Sequence, residues 1–324
     1  MSASFASVDP RLLRAFLAVA EELHFTRAAT RLYVAQQALS RDVRRLEREL
    51  GTELFVRTTR QVTLTADGER LLPLARRVLD AQEELLAAFG QMRPLLVDLN
   101  SEGLGTTRRV LVRARELAPA QELTARYESG LTKAADDLLA GRLDASFGRF
   151  AGLAPALRAR LAQQPVRYEP MAVFLPEDHP LAALEEVPVR ALVGATVYAG
   201  AGNPGTREWT GLARQLFERY GILPASPVPM AVGREEFARV MTRTRVPVLS
   251  VVDFSAMPGA VLRPLVDPVP LSPVSLVWRK GLVHPGLDAL RTAAAEISRA
   301  EGWLERPAEG WIPATDEDVM NGHM

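Results

Sequence analysis

Between residues 35 and 50 the chain reads AQQALSRDVRRLEREL, and this segment constrains the fold more than any other. Wound as a helix at ~100° per residue, it sets Leu39, Val43, Leu46 and Leu50 on one narrow stripe, the spacing of a buried face. Gln37, Arg41, Arg44 and Arg48 fall roughly opposite, with Arg45 beside them, while Asp42, Glu47 and Glu49 lie on the flanks nearer the apolar stripe. A helix that needs only solubility mixes both signs on its outer face to gain i,i+4 pairs. Here the cations are sorted, although the 324 residues carry a formal net charge of zero. Distribution rather than total charge therefore points to an anionic partner.

The flanking residues set this helix in a small domain. Asp9-Pro10 supplies an N-cap and a first-turn proline to a helix whose apolar stripe is Leu13, Phe16, Leu17 and Ala20. After EELHF, Thr26 is placed to cap a short helix, RAATRLY, and the link onward leaves room only for a tight angled turn. Gly51 follows Leu50 in the usual position for ending a helix. ELFVRTTRQVTLT then alternates and is β-branched around a polar RTTR, the pattern of a small hairpin. Three short helices with a two-stranded wing make a winged helix-turn-helix, whose second motif helix enters the major groove of DNA.

Ala28-Ala29, Leu32, Gln36, Ala38, Ser40, Leu46-Glu47, Leu50-Gly51, Leu54-Phe55, Arg57, Leu64-Thr65 and Gly68 resemble the DNA-binding signature of LysR-type transcriptional regulators, without a gap through the first third of the chain. The resemblance implies a homo-oligomeric, effector-responsive regulator, α/β overall. Its expected parts are an N-terminal winged helix-turn-helix DNA-binding domain (1–65), a long dimerisation helix (66–92) and a C-terminal two-lobed periplasmic-binding-protein-like α/β domain (93–304). Where the family usually has Ser at the helix start followed by Gln-Pro, this chain has Ala35-Gln36-Gln37. Loss of the Ser cap costs ~1 kcal/mol of helix stability. Gln37 adds an amide able to read an adenine edge, so an altered base preference is expected.

Protein–DNA contacts divide into positioning and reading. Gln36, Gln37, Ser40 and Arg41, near the helix start, are the expected base readers. Arg44 is intermediate, and Arg45 and Arg48 are expected on phosphates. Thr26 and Arg27 open the preceding helix, whose N-terminus suits a phosphate. Arg57 and Arg60 bracket the wing and are expected along the backbone or minor groove, with Glu53 competing for Arg57.

Thr65 is placed to cap ADGERLLPLARRVLDAQEELLAAFGQM, with Asp67 and Glu69 complementing the positive helix end. Leu72, Leu79 and Leu86 recur every seven residues, as do Ala75, Gln82 and Phe89, an a/d seam read as the dimerisation surface. Packing against its own domain is the alternative. One reader module covers half a site, so pairing would fix the half-site spacing. The resemblance implies dimers, commonly assembled as tetramers, on double-stranded DNA of dyad symmetry; a transcription regulator further implies RNA polymerase as a partner.

From Arg93 onward strand and helix alternate: PLLVDL, RRVLVRARELA capped by Thr106 or Thr107, ELTARYES, TKAADDLLAGR, LDASFGR. That order argues a mainly parallel sheet. Crossovers near Gln164 and Val266 would give two lobes, one about 93–164 with 267–304 and the other about 165–266. Ligands of open α/β sheets bind outside the carboxyl ends of strands. The expected effector contacts are therefore Asn100, Ser101 and Glu102 after the first strand, and Gly200, Ala201, Gly202, Asn203 and Thr206 in GAGNPGTREW. Gly130 and Arg149 are placed to line the same cleft. Helix N-termini at Thr106 and Thr206 suit a carboxylate, whereas Glu102 favours a cationic or hydroxyl-rich ligand. The polar, acidic residues 305–324 are expected to form a mobile tail on which Trp311 and Ile312 could dock.

Other classes find little support. The chain has no cysteine, His24, His179, His284 and His323 share no metal-ligand spacing, and no G-x-S-x-G elbow occurs. No apolar run is long enough for a membrane span, and MSASFASVDPRLLRAF lacks the pattern of an export signal. A cytoplasmic regulator is expected, not an enzyme, with no cofactor or metal beyond a small-molecule effector. The alternative is a DNA-binding protein whose unliganded interaction domain answers to a protein partner.

Overall fold

The computed structural model describes residues 8–32, 34–57, 61–88, 93–127, 130–200, 203–226 and 234–321, and the chain divides into two units, Met1–Met92 and Arg93–Met324. In the first unit Asp9 accepts a hydrogen bond from the Arg11 amide at 2.8 Å and opens α1 (Pro10–Glu22), which Leu23 ends in the left-handed conformation. His24, not Thr26, caps α2 (Phe25–Arg31): its Nδ1 accepts from the Arg27 amide at 3.4 Å, and Thr26 lies inside the first turn. α3 (Gln36–Leu50) starts at Ala35 with no side-chain cap, as the missing serine implies, and stops at Gly51 with φ 70°.

Leu39, Val43 and Leu46 of α3 are fully buried against Leu12, Phe16 and Ala28, while Leu50 runs past the core and is exposed. The wing is an antiparallel pair, β1 (Phe55–Arg57) and β2 (Val62–Leu64), in register Phe55 with Leu64. Glu47 fastens it to α3, accepting from the Leu54 amide at 3.1 Å and from Arg57 at 3.0 Å. α4 (Ala66–Ala88) begins at Thr65, whose hydroxyl accepts from the Gly68 amide at 3.0 Å. At Gly68 a Cβ would sit 2.3 Å from the Leu54 carbonyl oxygen, so only glycine lets α4 press onto the start of the wing.

The structure corrects the expected dimerisation seam. Ala75 is buried, Leu72 and Leu79 pack against the core of the first unit, and Gln82 accepts from Arg14 of α1 at 2.9 Å. The side chain of Leu86 and the whole of Phe89 lie outside the described residues. α4 carries two overlapping seven-residue patterns, and α1 covers this one. The outward-facing pattern is Leu74, Val78, Ala81 and Leu85, all exposed, with Leu85 at 59%.

The second unit opens with β3 (Leu95–Asp98), α5 (Gly105–Leu117), β4 (Leu123–Arg126), α6 (Leu131–Leu139), β5 (Ala145–Gly148) and the short α7 (Pro155–Arg158). Because Leu104 precedes α5 and Thr106 and Thr107 lie within its first turn, neither threonine is the expected cap. The long β6 (Leu161–Pro176) follows, then β7 (Val187–Pro188), β8 (Thr196–Val197), α8 (Arg207–Tyr220), β9 (Leu223–Pro224) and α9 (Arg234–Thr244). β10 (Val248–Val251), β11 (Ala260–Val266), β12 (Val269–Arg279), α10 (Pro285–Ala300), β13 (Gly310–Trp311) and α11 (Ala314–Met320) complete it.

The main sheet runs β4, β3, β5, β12, β6, β11, β7, with β3, β4 and β5 parallel and β12 antiparallel to both β5 and β6. β6 pairs with β12 as far as Pro170 and from Met171 with β10 and β11, so the chain crosses between halves there, several residues after Gln164. One half buries Val97, Val110, Phe147 and Leu290; the other buries Val173, Leu212, Leu216 and Leu265.

The expected mobile tail is folded through residue 321. β13 pairs with the start of β12, the Trp311 ring lies edge-on to Tyr220 with centroids 6.3 Å apart, and Val319 is buried beside Leu161 and Val277. Its acidic composition conceals apolar anchors at Trp311, Ile312, Val319 and Met320. Each described histidine caps a helix or a 3-10 turn: His24 before α2, His179 before residues 180–183, and His284 before α10.

Candidate nucleic-acid interface and effector cleft

On α3, Gln36, Gln37, Arg41, Arg44, Arg45 and Arg48 are exposed and Ser40 is half-buried. Among the described residues Arg41, Arg44 and Arg48 have no carboxylate partner, and two of the three acids on their helix are spent elsewhere. Glu47 holds the wing, and Glu49 accepts from Arg45 at 2.8 Å, which raises the Arg45 pKa. An exposed i,i+4 pair of this kind is weak and exchanges readily for another anion.

Elsewhere the expected DNA contacts are partly engaged. Thr26 and Arg27 are exposed at the start of α2, with Arg27 donating to the Glu22 carbonyl at 2.6 Å. Arg57 is paired with Glu47 rather than the expected Glu53, and its guanidinium stacks 4.6 Å from the Phe25 ring centroid. Arg60 lies outside the described residues.

In the second unit a cavity of about 540 Å³ opens between the two halves, at the carboxyl ends of β3 and β5. Asn100, Ser101, Glu102, Gly130, Arg149, Gly200, Asn203 and Thr206 all line it, so segments far apart in sequence converge; Ala201 and Gly202 lie outside the described residues. Gly130, at φ +129°, lets the start of α6 touch the 203–206 turn, where a Cβ would meet the Gly205 carbonyl oxygen at 2.5 Å.

Arg149 does not offer the cleft a free cation. Its Nε and Nη2 donate to Asp316 of α11 at 2.9 and 2.7 Å, a pair buried on both sides. The N-terminus of α6 is filled as well: the Leu131 and Thr132 amides donate to Glu208 at 2.9 and 3.1 Å, and the Thr132 hydroxyl donates to it too. Glu169, 3% exposed, accepts from the Thr106 hydroxyl at 2.6 Å. Burial pushes its pKa up to about 6, against the Thr106 hydrogen bond and the nearby Arg167 charge, with Asp253 adding to the rise. Burial raises Glu208 in the same sense, opposed by its α6 donors.

Sequence reasoning missed Glu169, Glu208, Ser250 and Ser272, along with the aromatic walls Tyr127, Phe147, Phe174, Tyr198, Trp209 and Phe254. One signal was present: Glu169 is a lone acid ahead of the apolar run PMAVFLP. Among the described residues no cluster of three or more His, Asp or Glu could hold a metal ion, and no helix is long and apolar enough to cross a membrane.

These two features agree with the relatives. Residues 10–69 match the family model for the bacterial regulatory helix-turn-helix protein, lysR family, and residues 99–298 match the LysR substrate binding domain. HTH-type transcriptional regulator XapR of Escherichia coli is 31% identical over 298 residues, 89% of this chain and 98% of XapR. HTH-type transcriptional regulator BenM of Acinetobacter baylyi is 26% identical over 312 residues, 93% of this chain and 99% of BenM. A full-length OxyR variant from Pseudomonas aeruginosa superposes with a TM-score of 0.61 at 25% identity, covering 90% of this chain and 95% of its own. CbnR in complex with its target DNA superposes at 0.54 and 23% identity, 89% and 99% covered, a likeness of fold. The sorted arginine face, the two-lobed cleft and the match of both family models lead to one conclusion: this chain belongs to the LysR family of bacterial helix-turn-helix proteins, DNA-binding transcriptional regulators with an effector-binding domain.

Proposed function

We propose that α3 lies in the major groove, reading base edges through Gln36, Gln37, Ser40 and Arg41, while Arg44, Arg45 and Arg48 bind phosphates. Thr26 and Arg27 hold the backbone from the start of α2. Arg57 keeps the wing in place, and Arg60 reaches the backbone beyond it. The observation that carries this reading is the set of exposed Arg41, Arg44 and Arg48, without a carboxylate partner among the described residues, opposite buried Leu39, Val43 and Leu46.

Two copies pair through the outward stripe of α4, Leu74, Val78, Ala81 and Leu85, whose 4-3-4 spacing is that of a coiled-coil seam. Paired readers face a dyad-symmetric site, as dimers that assemble further into tetramers. A small-molecule effector binds between the two halves of the second unit, touching Asn100, Ser101, Glu102, Gly130, Gly200, Asn203 and Thr206, with Arg149 behind them. Its preference for one arrangement of the halves shifts the oligomer on DNA; equal affinity for both would shift nothing. The protein acts in the cytoplasm beside RNA polymerase and turns over no substrate.

Arg41→Ala and Gln36→Ala should each remove ~1–3 kcal/mol of discrimination between operator and random duplex, leaving non-specific affinity largely intact. Fluorescence anisotropy on both duplexes measures this, and equal losses on the two would refute the reading role.

A further inference from the structure

Three features at the cleft are the kind that capture anions: the arginine Arg149, the N-terminus of α6, and the hydroxyl-bearing first turn of α5. Two already hold an internal carboxylate, and the third gives the Thr106 hydroxyl to one. Asp316 takes Arg149, Glu208 takes α6, and Glu169 takes the Thr106 hydroxyl. Arg149 is the sole basic side chain among the described lining residues, so an incoming carboxylate or phosphate would meet no free cation there.

What the cleft presents instead is carboxylate and amide acceptors together with hydroxyls that can donate or accept. Glu169 uses one carboxylate oxygen on Thr106, and among the described residues no donor reaches the other. Asn100 spends its side-chain NH2 on the Phe147 carbonyl at 2.6 Å, leaving a buried Oδ1 without a donor. Ser250 and Ser272, 8% and 7% exposed, line the cavity with hydroxyls that have no partner among the described residues, and Ser272 sits opposite Glu169 across the β12–β6 register. Glu102 adds an exposed carboxylate at the mouth. Of these groups Asn100 Oδ1 is the fully buried acceptor without a donor among the described residues, which is costly unless a ligand supplies one. Tyr127, Tyr198, Trp209 and Phe254 provide apolar faces suited to a flat body.

Resting on the effector reading above, we infer that this cleft takes a flat apolar molecule bearing an amine or amidinium group and rejects free carboxylates and phosphates. The cation sits against Glu169 and Ser272 while its ring lies among the aromatic walls. Glu169 is ionised at neutral pH because its pKa of about 6 lies below it. Arg167 and Asp253 are the charged groups nearest Glu169, and Arg167 is engaged by Asp253.

The test uses two probes of near-identical shape and opposite charge, benzamidinium chloride and sodium benzoate, titrated into the full chain at pH 7.5 by thermal shift and calorimetry. Benzamidinium should raise Tm in a saturable way and benzoate should not. Glu169→Gln should weaken benzamidinium by roughly ten- to a hundred-fold, the worth of a hydrogen bond to a charged group. Should that variant fold poorly, the wild type carries the same test: benzamidinium affinity should fall as pH drops from 7.5 through about 6, while neutral benzamide stays flat. Benzoate binding equal to or tighter than benzamidinium, or no response to either probe at millimolar concentration, would overturn the inference. Because the assay contains no DNA, such a failure leaves the regulator reading to be judged by operator binding alone.

Discussion

Asp316→Ala should be the most damaging single change in the second unit outside its main cores. Arg149 and Asp316 are 6% and 1% exposed and joined by contacts of 2.7, 2.9 and 3.1 Å. Removing the carboxylate leaves a guanidinium buried and uncompensated, a situation that costs ~3–5 kcal/mol. For a unit of this size each kcal/mol lowers Tm by ~2–4 °C, so a drop of roughly 6–20 °C is expected. Calorimetry of the variant measures the drop, and limited chymotrypsin digestion should cut the released tail after Trp311, now packed edge-on to Tyr220. Replacing both partners, Arg149→Met with Asp316→Leu, should restore most of the loss, because apolar pairs of similar volume replace buried ion pairs at little cost. The released arginine should also admit benzoate to the cleft. A Tm within ~2 °C of wild type for Asp316→Ala would refute the view that this pair anchors the tail.

Further outcomes follow from the same geometry. Leu85→Glu, on the exposed stripe of α4, should convert dimers to monomers by analytical ultracentrifugation while the first unit stays folded; Ala75→Glu, buried against α1, should unfold it. Ala35→Ser restores the absent cap of α3 and should stabilise the first unit by ~1 kcal/mol in denaturant titration. Glu169 binds more protons folded than unfolded between about 4.5 and about 6, so stability of the second unit should fall as pH rises through that window. The integrated loss is on the order of 2 kcal/mol. Glu208 acts in the same direction, and Glu169→Gln should flatten the profile.

The reader helix was legible because its information is local: the stripe of Leu39, Val43 and Leu46 and the glycine stop need only the period of one helix. Partners were less so. That Glu47 rather than Glu53 would take Arg57 depends on how the wing folds back, which no spacing within α3 encodes. On α4 two heptad stripes overlap, and only the position of α1 decides which is covered. The cleft loops could be located because strand ends in an open α/β sheet converge by topology, bringing Asn100, Gly130 and Asn203 together. Glu169 and Ser272 stayed hidden because they lie within the long strands β6 and β12, facing each other only once the register is known. Asp316 was hidden for a different reason: in an acidic segment a single buried carboxylate looks like its solvated neighbours.

Salt-dependent binding to duplex DNA tests most directly whether the arginine face of α3 meets phosphates and bases. Wild type should bind promoter DNA at low salt with a steep fall in affinity as salt rises, and Arg48→Ala should reduce that slope by ~1. A triple Arg41→Ala, Arg44→Ala, Arg48→Ala variant, folded by circular dichroism, should lose binding. Unchanged affinity and slope in the triple variant, or wild-type protein that leaves every promoter fragment free at low salt, would contradict the account.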